Sequence, residues 1–467
     1  MRKNSKKYSL VAMMMAASIL MSSCGAANKA VCTKTNSSSN GTVATADEAV
    51  TTFGDGEIKG SSSISEFFRD LDGDVVYKEG IDEAVGYSDK EVYETDDYST
   101  VDEIGDDYID GDYYYNDAEA GTLTGGELRD LLNWDNYLRS VDQEILAKWD
   151  VVSTSRVTVH LYNGDTPIMG TKVVLTNGQS DLFTAVTDVT GNAYLFYNLV
   201  NEDVAPTGIK VYGDDGSVSE YALSDVANSK NEVELEVKNT NKEVNVDLMF
   251  VVDTTGSMWD ELDYLKAEIQ DVIDRASDET GMSIRTSVNF YRDQEDEYLV
   301  RYFDFRDDAA EVKELVGEQT ADGGGDYPEA VYEAFDNALN EHNWNENSIK
   351  LMFVVLDAPP HEEDATELAA LVKQAAEMGV RIIPIMSSGA DAETEYLFRS
   401  YAAITGGTYL FLDDNSGVGY AHETPANDTE YDSEYLNEMM IRVIGEYCGK
   451  DLGTEVVEIT PAPVQGN

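Results

Sequence analysis

The sequence predicts an α/β head with a doubly wound parallel sheet, preceded by a small all-β sandwich and carried on a disordered acidic N-terminal tether. Three observations predict it. Between about 241 and 449, unbroken apolar runs alternate with segments of helical period, the pattern of parallel strands covered on both faces. From 153 to 240 the period drops to two, and turn residues separate short runs. Before residue 120, large apolar groups are scarce and carboxylates abundant, a composition that cannot build a core.

The 467 residues are too many for one core. They carry 91 acidic against 32 basic residues. Binding to nucleic acid is therefore not expected, because phosphates need a basic footprint. Residues 1–23 read as a signal peptide. Arg2, Lys3, Lys6 and Lys7 form a basic head, and a mostly apolar run follows from Leu10 to Leu20. That run is too short to span a membrane as a stable helix. Ser22 and Ser23 then precede Cys24, a pattern that resembles a bacterial lipobox with its usual Leu one place early, at Leu20. Cleavage before Cys24 would leave a lipidated N-terminus and an extracytoplasmic chain anchored to the membrane. A plain secreted protein is the alternative. Cys32 and Cys448 do not make a disulfide framework and stay unassigned.

Residues 24–120 read as the tether, first Ser/Thr-rich and then acidic. Glu66 to Glu119 holds twenty acidic and three basic residues, interleaved with tyrosines. A flexible tether of about 95 residues has a root-mean-square span of roughly 50–60 Å. Asp70-Leu71-Asp72-Gly73-Asp74 is a poor calcium loop, with its glycine early and Ile81 where a bidentate Glu is needed. From 121 to 152 an amphipathic helix is expected. Thr124-x-x-Glu127 has capping-box spacing, and Leu131, Trp134, Leu138, Val141, Ile145 and Trp149 form one stripe behind it. The sandwich follows at 153–240, with Val157, Val159 and Leu161, then Val173 and Leu175, then Val233, Leu235 and Val237 alternating. Its stretch Pro167-Ile168-x-Gly170-x-x-Val173-x-Leu175 with Thr187-Asp188-x-x-Gly191-x-Ala193 resembles immunoglobulin-like or carboxypeptidase-regulatory-like modules. Such modules space and present.

In the head, strands are expected at 246–252, 284–291, 299–305, 351–356, 380–386 and 408–412. Helices are expected at about 258–276, 308–318, 328–342, 364–378, 392–404 and 432–448, leaving 450–467 as a tail. Pro384 is tolerable in its strand if it lies off the ladder with the last one. The first strand ends on Asp253, and Thr255 and Ser257 follow at two-residue spacing. Hard oxygen donors at the C-terminal end of a buried strand suit a divalent cation such as Mg²⁺. Tracing the chain brings the loop Gly323-Gly324-Gly325-Asp326 and Asp357 to the same sheet edge.

Asp253-x-Thr255-x-Ser257, the Gly-rich loop and Asp357 together resemble the metal-ion-dependent adhesion site of von Willebrand factor type A domains, which are related to integrin I domains. The resemblance implies Mg²⁺, Mn²⁺ or Ca²⁺ held by Asp253, Thr255 and Ser257, with Asp357 acting directly or through water. Where adhesive relatives have a threonine, this chain has Asp326, as a ligand, just behind the ligands or pointing away. A third carboxylate would tighten cation binding and leave the ion less electrophilic. Asp293 is placed near the rim, and His361 in a loop by the metal face. The expected function is recognition of an extracellular or envelope protein through the metal face, not catalysis. No His-Glu-x-x-His helix, nucleophile elbow or phosphate loop is present. Two other readings stand beside it: a subunit of an envelope assembly contacting a neighbour in the same membrane, and a metal-dependent hydrolase.

Overall fold

A computed structural model describes residues 118–199, 204–422, 425 and 431–453. The leader with Cys24, the tether up to residue 117 and the tail from 454 lie outside the described residues. Among the described residues no helix is long and apolar enough to cross a membrane.

The chain enters with β1 (Thr124–Leu128), α1 (Trp134–Ser140) and α2 (Gln143–Lys148). A β module follows: β2 (Arg156–Asn163), β3 (Thr166–Pro167), β4 (Lys172–Thr176), β5 (Asp181–Val186), β6 (Asn192–Phe196), β7 (Gly208–Tyr212), β8 (Val218–Ala222), α3 (Leu223–Val226) and β9 (Glu232–Glu236). The head is then built from β10 (Val246–Asp253), α4 (Leu262–Thr280), β11 (Ile284–Tyr291), β12 (Val300–Arg306), α5 (Ala309–Gly317), α6 (Val331–Asn340) and β13 (Ile349–Leu356). It is completed by α7 (Ala365–Met378), β14 (Val380–Met386), α8 (Ala392–Thr405), β15 (Tyr409–Leu412), β16 (Glu434–Tyr435) and α9 (Leu436–Tyr447).

The head sheet has eight strands in the order β12-β11-β10-β13-β14-β15-β1-β16. Its middle, β11 to β15, is parallel, and β12 and β1 flank it antiparallel. Every residue of β10 is buried because both its faces are covered. Leu248, Phe250 and Val252 pack with α4 and α9 on one face, while Met249 and Val251 pack with α6, α7 and α8 on the other. Pro384 aligns with Val354, and the ladder to β15 begins one residue later at Ile385, so the missing N–H breaks no bond there.

Two four-stranded sheets make up the β module: β3-β2-β6 with β9 on β2, and β5-β4-β7-β8. Val157, Val159 and Leu161 from the first share one apolar cluster with Val173, Leu175 and Phe183 from the second. The cluster runs on into the head, where β5 packs on α7.

The expected single helix at 121–152 is not what forms. Thr124 and Glu127 are strand residues. The Thr124 hydroxyl bonds Asp413, and Glu127 pairs with Arg129 and Arg442. A further break follows: Val141 is extended, and the Asp142 side chain caps α2 by accepting from Glu144 and Ile145 N–H. β1 runs antiparallel to β15, with Gly125 opposite Leu412 and Gly126 opposite Phe411. A Cβ on Gly125 would stand 2.1 Å from the Phe411 carbonyl, and one on Gly126 would stand 2.4 Å from the Tyr431 ring. Only glycine fits that approach. Residues 118–150 thus belong to the head, and the β module is inserted between β1 and β10.

Candidate metal centre

Asp253 closes β10 at the C-terminal edge of the sheet, fully buried. Thr255 donates to its Oδ1 twice, through N–H at 2.8 Å and through Oγ1 at 2.7 Å, and Ser257 Oγ lies 3.3 Å from Thr255 Oγ1. The first loop is stitched to the glycine loop by Gly256 N–H to the Gly323 carbonyl and Asp322 N–H to the Thr254 carbonyl. Gly323 and Gly324 both have φ above +70°, a consecutive left-handed pair that side chains resist. That turn wraps Asp296, whose Oδ2 accepts Gly324 N–H and Asp293 N–H. Asp357 follows β13 directly, 3% exposed, so β10 and β13 deliver it beside Asp253.

The structure separates two carboxylates that sequence could not. Asp326 is exposed to solvent, and Glu329, three residues on, is buried among the other acids. A hydrogen bond from Glu329 N–H to the Pro359 carbonyl and a bridge to Pro360 tie Glu329 to the loop after Asp357. Pro328 and the glycines, in turn, set the direction of the chain at this point.

Asp253 Oδ2, Glu329 Oε2 and Asp357 Oδ1 are each buried without a hydrogen-bond partner among the described residues. A buried carboxylate oxygen with no partner is costly unless a cation or proton meets it. Burial, and then mutual repulsion, pushes Asp357 up to about 7 and Glu329 up to about 9. Asp253 rises to about 6 through burial despite its bonds from Thr255. The Tyr291 hydroxyl, buried beside them, is raised by burial and by the charges of Asp253, Glu329 and Asp357. Among the described residues no three carboxylate, imidazole or thiolate groups close tightly enough to form a metal cluster by themselves. The Thr255 and Ser257 hydroxyls complete the donor set, which is all oxygen and fits Mg²⁺, Mn²⁺ or Ca²⁺ rather than zinc.

Around this centre the rim is built from other loops. His361 Nε2 lies 2.7 Å from Asp293 Oδ1, so the two residues expected near the metal face are paired with each other. A contact the sequence did not suggest lies opposite. His422 bridges Glu261 Oε1 at 2.8 Å and Asp414 Oδ1 at 3.0 Å, and Tyr420 N–H bonds Asp260, strapping the 413–422 loop beside the first metal loop. Nothing in a lone His and a helix-start Glu signals that strap.

The raised carboxyls give a pH prediction. Asp and Glu in an unfolded chain titrate near about 3.9 and 4.3. Higher values in the fold mean that folding takes up protons, so the stability these groups contribute is fully present below about 4 and lost progressively as pH rises to about 9. A divalent cation reverses the sign by favouring the ionised forms. In chelator, Tm should fall from pH 5.5 to 8.5 (about 3 pH units), and saturating Mg²⁺ should restore more at the upper end than at the lower. Asp253→Asn should flatten the slope, which separates the cluster from the general acidity of the chain. Equal Mg²⁺ effects at both ends would count against this reading.

Residues 247–414 match the von Willebrand factor A domain family. Among curated proteins, the putative ariadne-like RING finger protein R811 of Acanthamoeba polyphaga mimivirus is 26% identical over 189 residues, 37% of this chain and 18% of the viral protein. The chain therefore spans under a fifth of that protein's length. Two solved structures are similar over 44% of this chain, each with a TM-score of 0.31. One is the conserved hypothetical protein BatB from Bacteroides thetaiotaomicron, 15% identical and covered over 100% of its length. The other is proximal thread matrix protein 1 from the mussel byssus, 18% identical and covered over 46%. The sheet order, the loops at its C-terminal edge and the family match agree that residues 247–414 of this chain are a von Willebrand factor A domain.

Proposed function

We propose that the chain is an extracytoplasmic recognition protein, lipid-anchored at Cys24, whose von Willebrand factor A domain holds a divalent cation and binds a protein partner through the metal face. The observation that carries this is the trio of buried, unpartnered carboxylate oxygens on Asp253, Glu329 and Asp357 beside the Thr255 and Ser257 hydroxyls. Mg²⁺, Mn²⁺ or Ca²⁺ would be held by these five residues. When bound, the ion would supply a Lewis-acidic position for an oxygen donor of the partner. Three ionised carboxylates around a dication leave the centre net negative, so the ion alone would attract an acidic group weakly.

Side chains around the ion therefore have to contribute. Trp259, Tyr327 and Tyr420 are exposed on loops of this face, and Trp259 and Tyr420 meet edge to face at 6.2 Å. Exposed aromatics clustered at one edge supply the apolar anchors that interfaces use. Elsewhere among the described residues, exposed large apolar groups stand singly, as Leu132 and Val218 do, which gives the envelope-neighbour reading no patch on the β module or on residues 121–152.

The test uses immobilised residues 25–467 and an envelope extract. Proteins should be retained in Mg²⁺, released by chelator, and lost with either Asp253→Ala or Trp259→Ala. Retention indifferent to chelator would move recognition away from this face.

A further inference from the structure

At the opposite end of the sheet, where β13 and β14 begin, a cavity of about 410 Å³ lies between the β module and the base of the head. Lys172, Lys242, Lys350 and Arg381 all line it. Four carboxylates, Asp188, Asp214, Glu346 and Glu377, share its wall, so what matters is which cations they leave unpaired. Two of the cations have local counter-charges: Lys172 pairs with Glu377 at 2.7 Å, and Lys242 with Asp214 at 3.7 Å.

The other two do not. Lys350 is only 7% exposed, and its ammonium reaches the carbonyls of Glu346 and Ser348 at 3.2 and 3.4 Å. Arg381 is 6% exposed and donates to the carbonyls of Thr405 and Val186, each at 2.7 Å. Neither forms an ion pair among the described residues. Of the carboxylates nearby, Glu346 in the wall is exposed to solvent, and Asp247 and Asp188 are committed elsewhere. Asp247, buried below Lys350, takes the Arg285 guanidinium, Asn345 N–H and the Ser348 hydroxyl. Asp188, in the cavity wall, takes Thr190 N–H and hydroxyl and Asn192 N–H within its own turn. Burial lowers the Lys350 pKa, opposed first by the charge of Asp247, assisted by that of Arg381 and opposed again by Glu346. A buried ammonium and a buried guanidinium that line one cavity, each hydrogen-bonded only to carbonyls, favour an anion there.

We propose that this cavity is a binding site for a small organic anion, its phosphate or carboxylate group against Lys350 and Arg381 and its apolar body against Met169, Trp344 and Met378. The volume suits such a ligand, since small-molecule sites span about 300–1,000 Å³. The site is independent of the metal centre, which sits at the other end of the strands. Because the walls come from both the β module and the head, the ligand would also brace one against the other.

The test is calorimetry on residues 25–467 with phenyl phosphate, benzoate, inorganic phosphate and phenol as probes. Phenyl phosphate or benzoate should saturate one site, and whichever is tighter names the anionic group. Inorganic phosphate should bind at least about tenfold more weakly for want of an apolar body, and phenol should not bind. Lys350→Met should weaken the anion by at least about tenfold, and Lys350→Arg should restore most of it. Lys242→Glu, at an exposed position, should weaken it by about threefold or more, and keeps the test open if Lys350→Met does not fold. No saturation by phenyl phosphate or benzoate up to about 10 mM, phenol binding as well as phenyl phosphate, or affinities unmoved by the Lys350 and Lys242 changes would each overturn the proposal.

Discussion

Asp253→Ala is expected to abolish saturable Mg²⁺ binding, and Glu329→Gln to weaken it by at least about tenfold, whereas Asp326→Asn should leave it within about twofold. The ranking follows from where each carboxylate points. Asp253 is fully buried, holds Thr255 through its Oδ1, and offers an unpartnered Oδ2. Its loss removes one donor and loosens a second. Glu329 offers an unpartnered Oε2 in the same pocket, and its carboxyl is raised by burial and by the charges of Asp253, Asp293 and Asp357. Gln keeps the shape and removes the charge. Asp326 faces solvent, where its charge is screened. Asp253→Ala should also raise Tm in chelator at pH 8.5, because it relieves repulsion among buried acids, and this readout separates a lost ligand from a damaged fold. Calorimetry and thermal melts on residues 25–467 measure the set. Asp326→Asn weakening the ion as much as Glu329→Gln would falsify the assignment of Glu329 and return the glycine loop to the ligand set.

That exchange of one carboxylate for another shows what a sequence can carry. The run Asp253-x-Thr255-x-Ser257 is legible because all three groups sit on one strand end and one short loop, where local spacing fixes geometry. Asp357 is legible because the apolar run at 351–356 ends on it. Asp326 and Glu329 are three apart in a loop whose direction depends on Asp296 inside the glycine turn and on Pro359 and Pro360 across from it. Those contacts are not written in the loop itself. The parallel strands of the head fall within about two residues of their apolar runs, since burial on both faces demands such runs. β1 has no such mark. Gly125 and Gly126 have poor strand propensity, and Thr124 and Glu127 mimic a helix cap, while the approach that requires glycine is set by Phe411 and Tyr431, nearly three hundred residues away.

The displaced strand sets the last expected result. A fragment beginning at residue 241 should fail to fold cooperatively, while residues 118–453 should melt in a single transition. Removing 118–240 strips β1 from β15 and leaves that edge unpaired, a template for aggregation. It also strands charges that β1 and its helices neutralise. Glu268 is fully buried on α4, and its carboxylate accepts the N–H groups of Gly121, Thr122 and Leu123. Arg399, 1% exposed on α8, donates to both oxygens of Asp130 at 2.7 and 2.9 Å. Arg442 on α9 loses Glu127, and the Glu393 carboxylate loses the Trp149 indole N–H. Breaking one buried pair by removing a partner costs about 3–5 kcal/mol, a large share of the stability of an ordinary domain. Asp130→Ala in the otherwise intact chain isolates that single loss and should sit toward the lower figure, because Glu395 remains at 2.9 Å from the Arg399 guanidinium. Circular dichroism melts of the two fragments and of Asp130→Ala decide the matter. A fragment from 241 that melts as sharply and as high as residues 118–453 would show that the head folds without its N-terminal strand. The stabilising contacts assigned to residues 118–150 would then be dispensable.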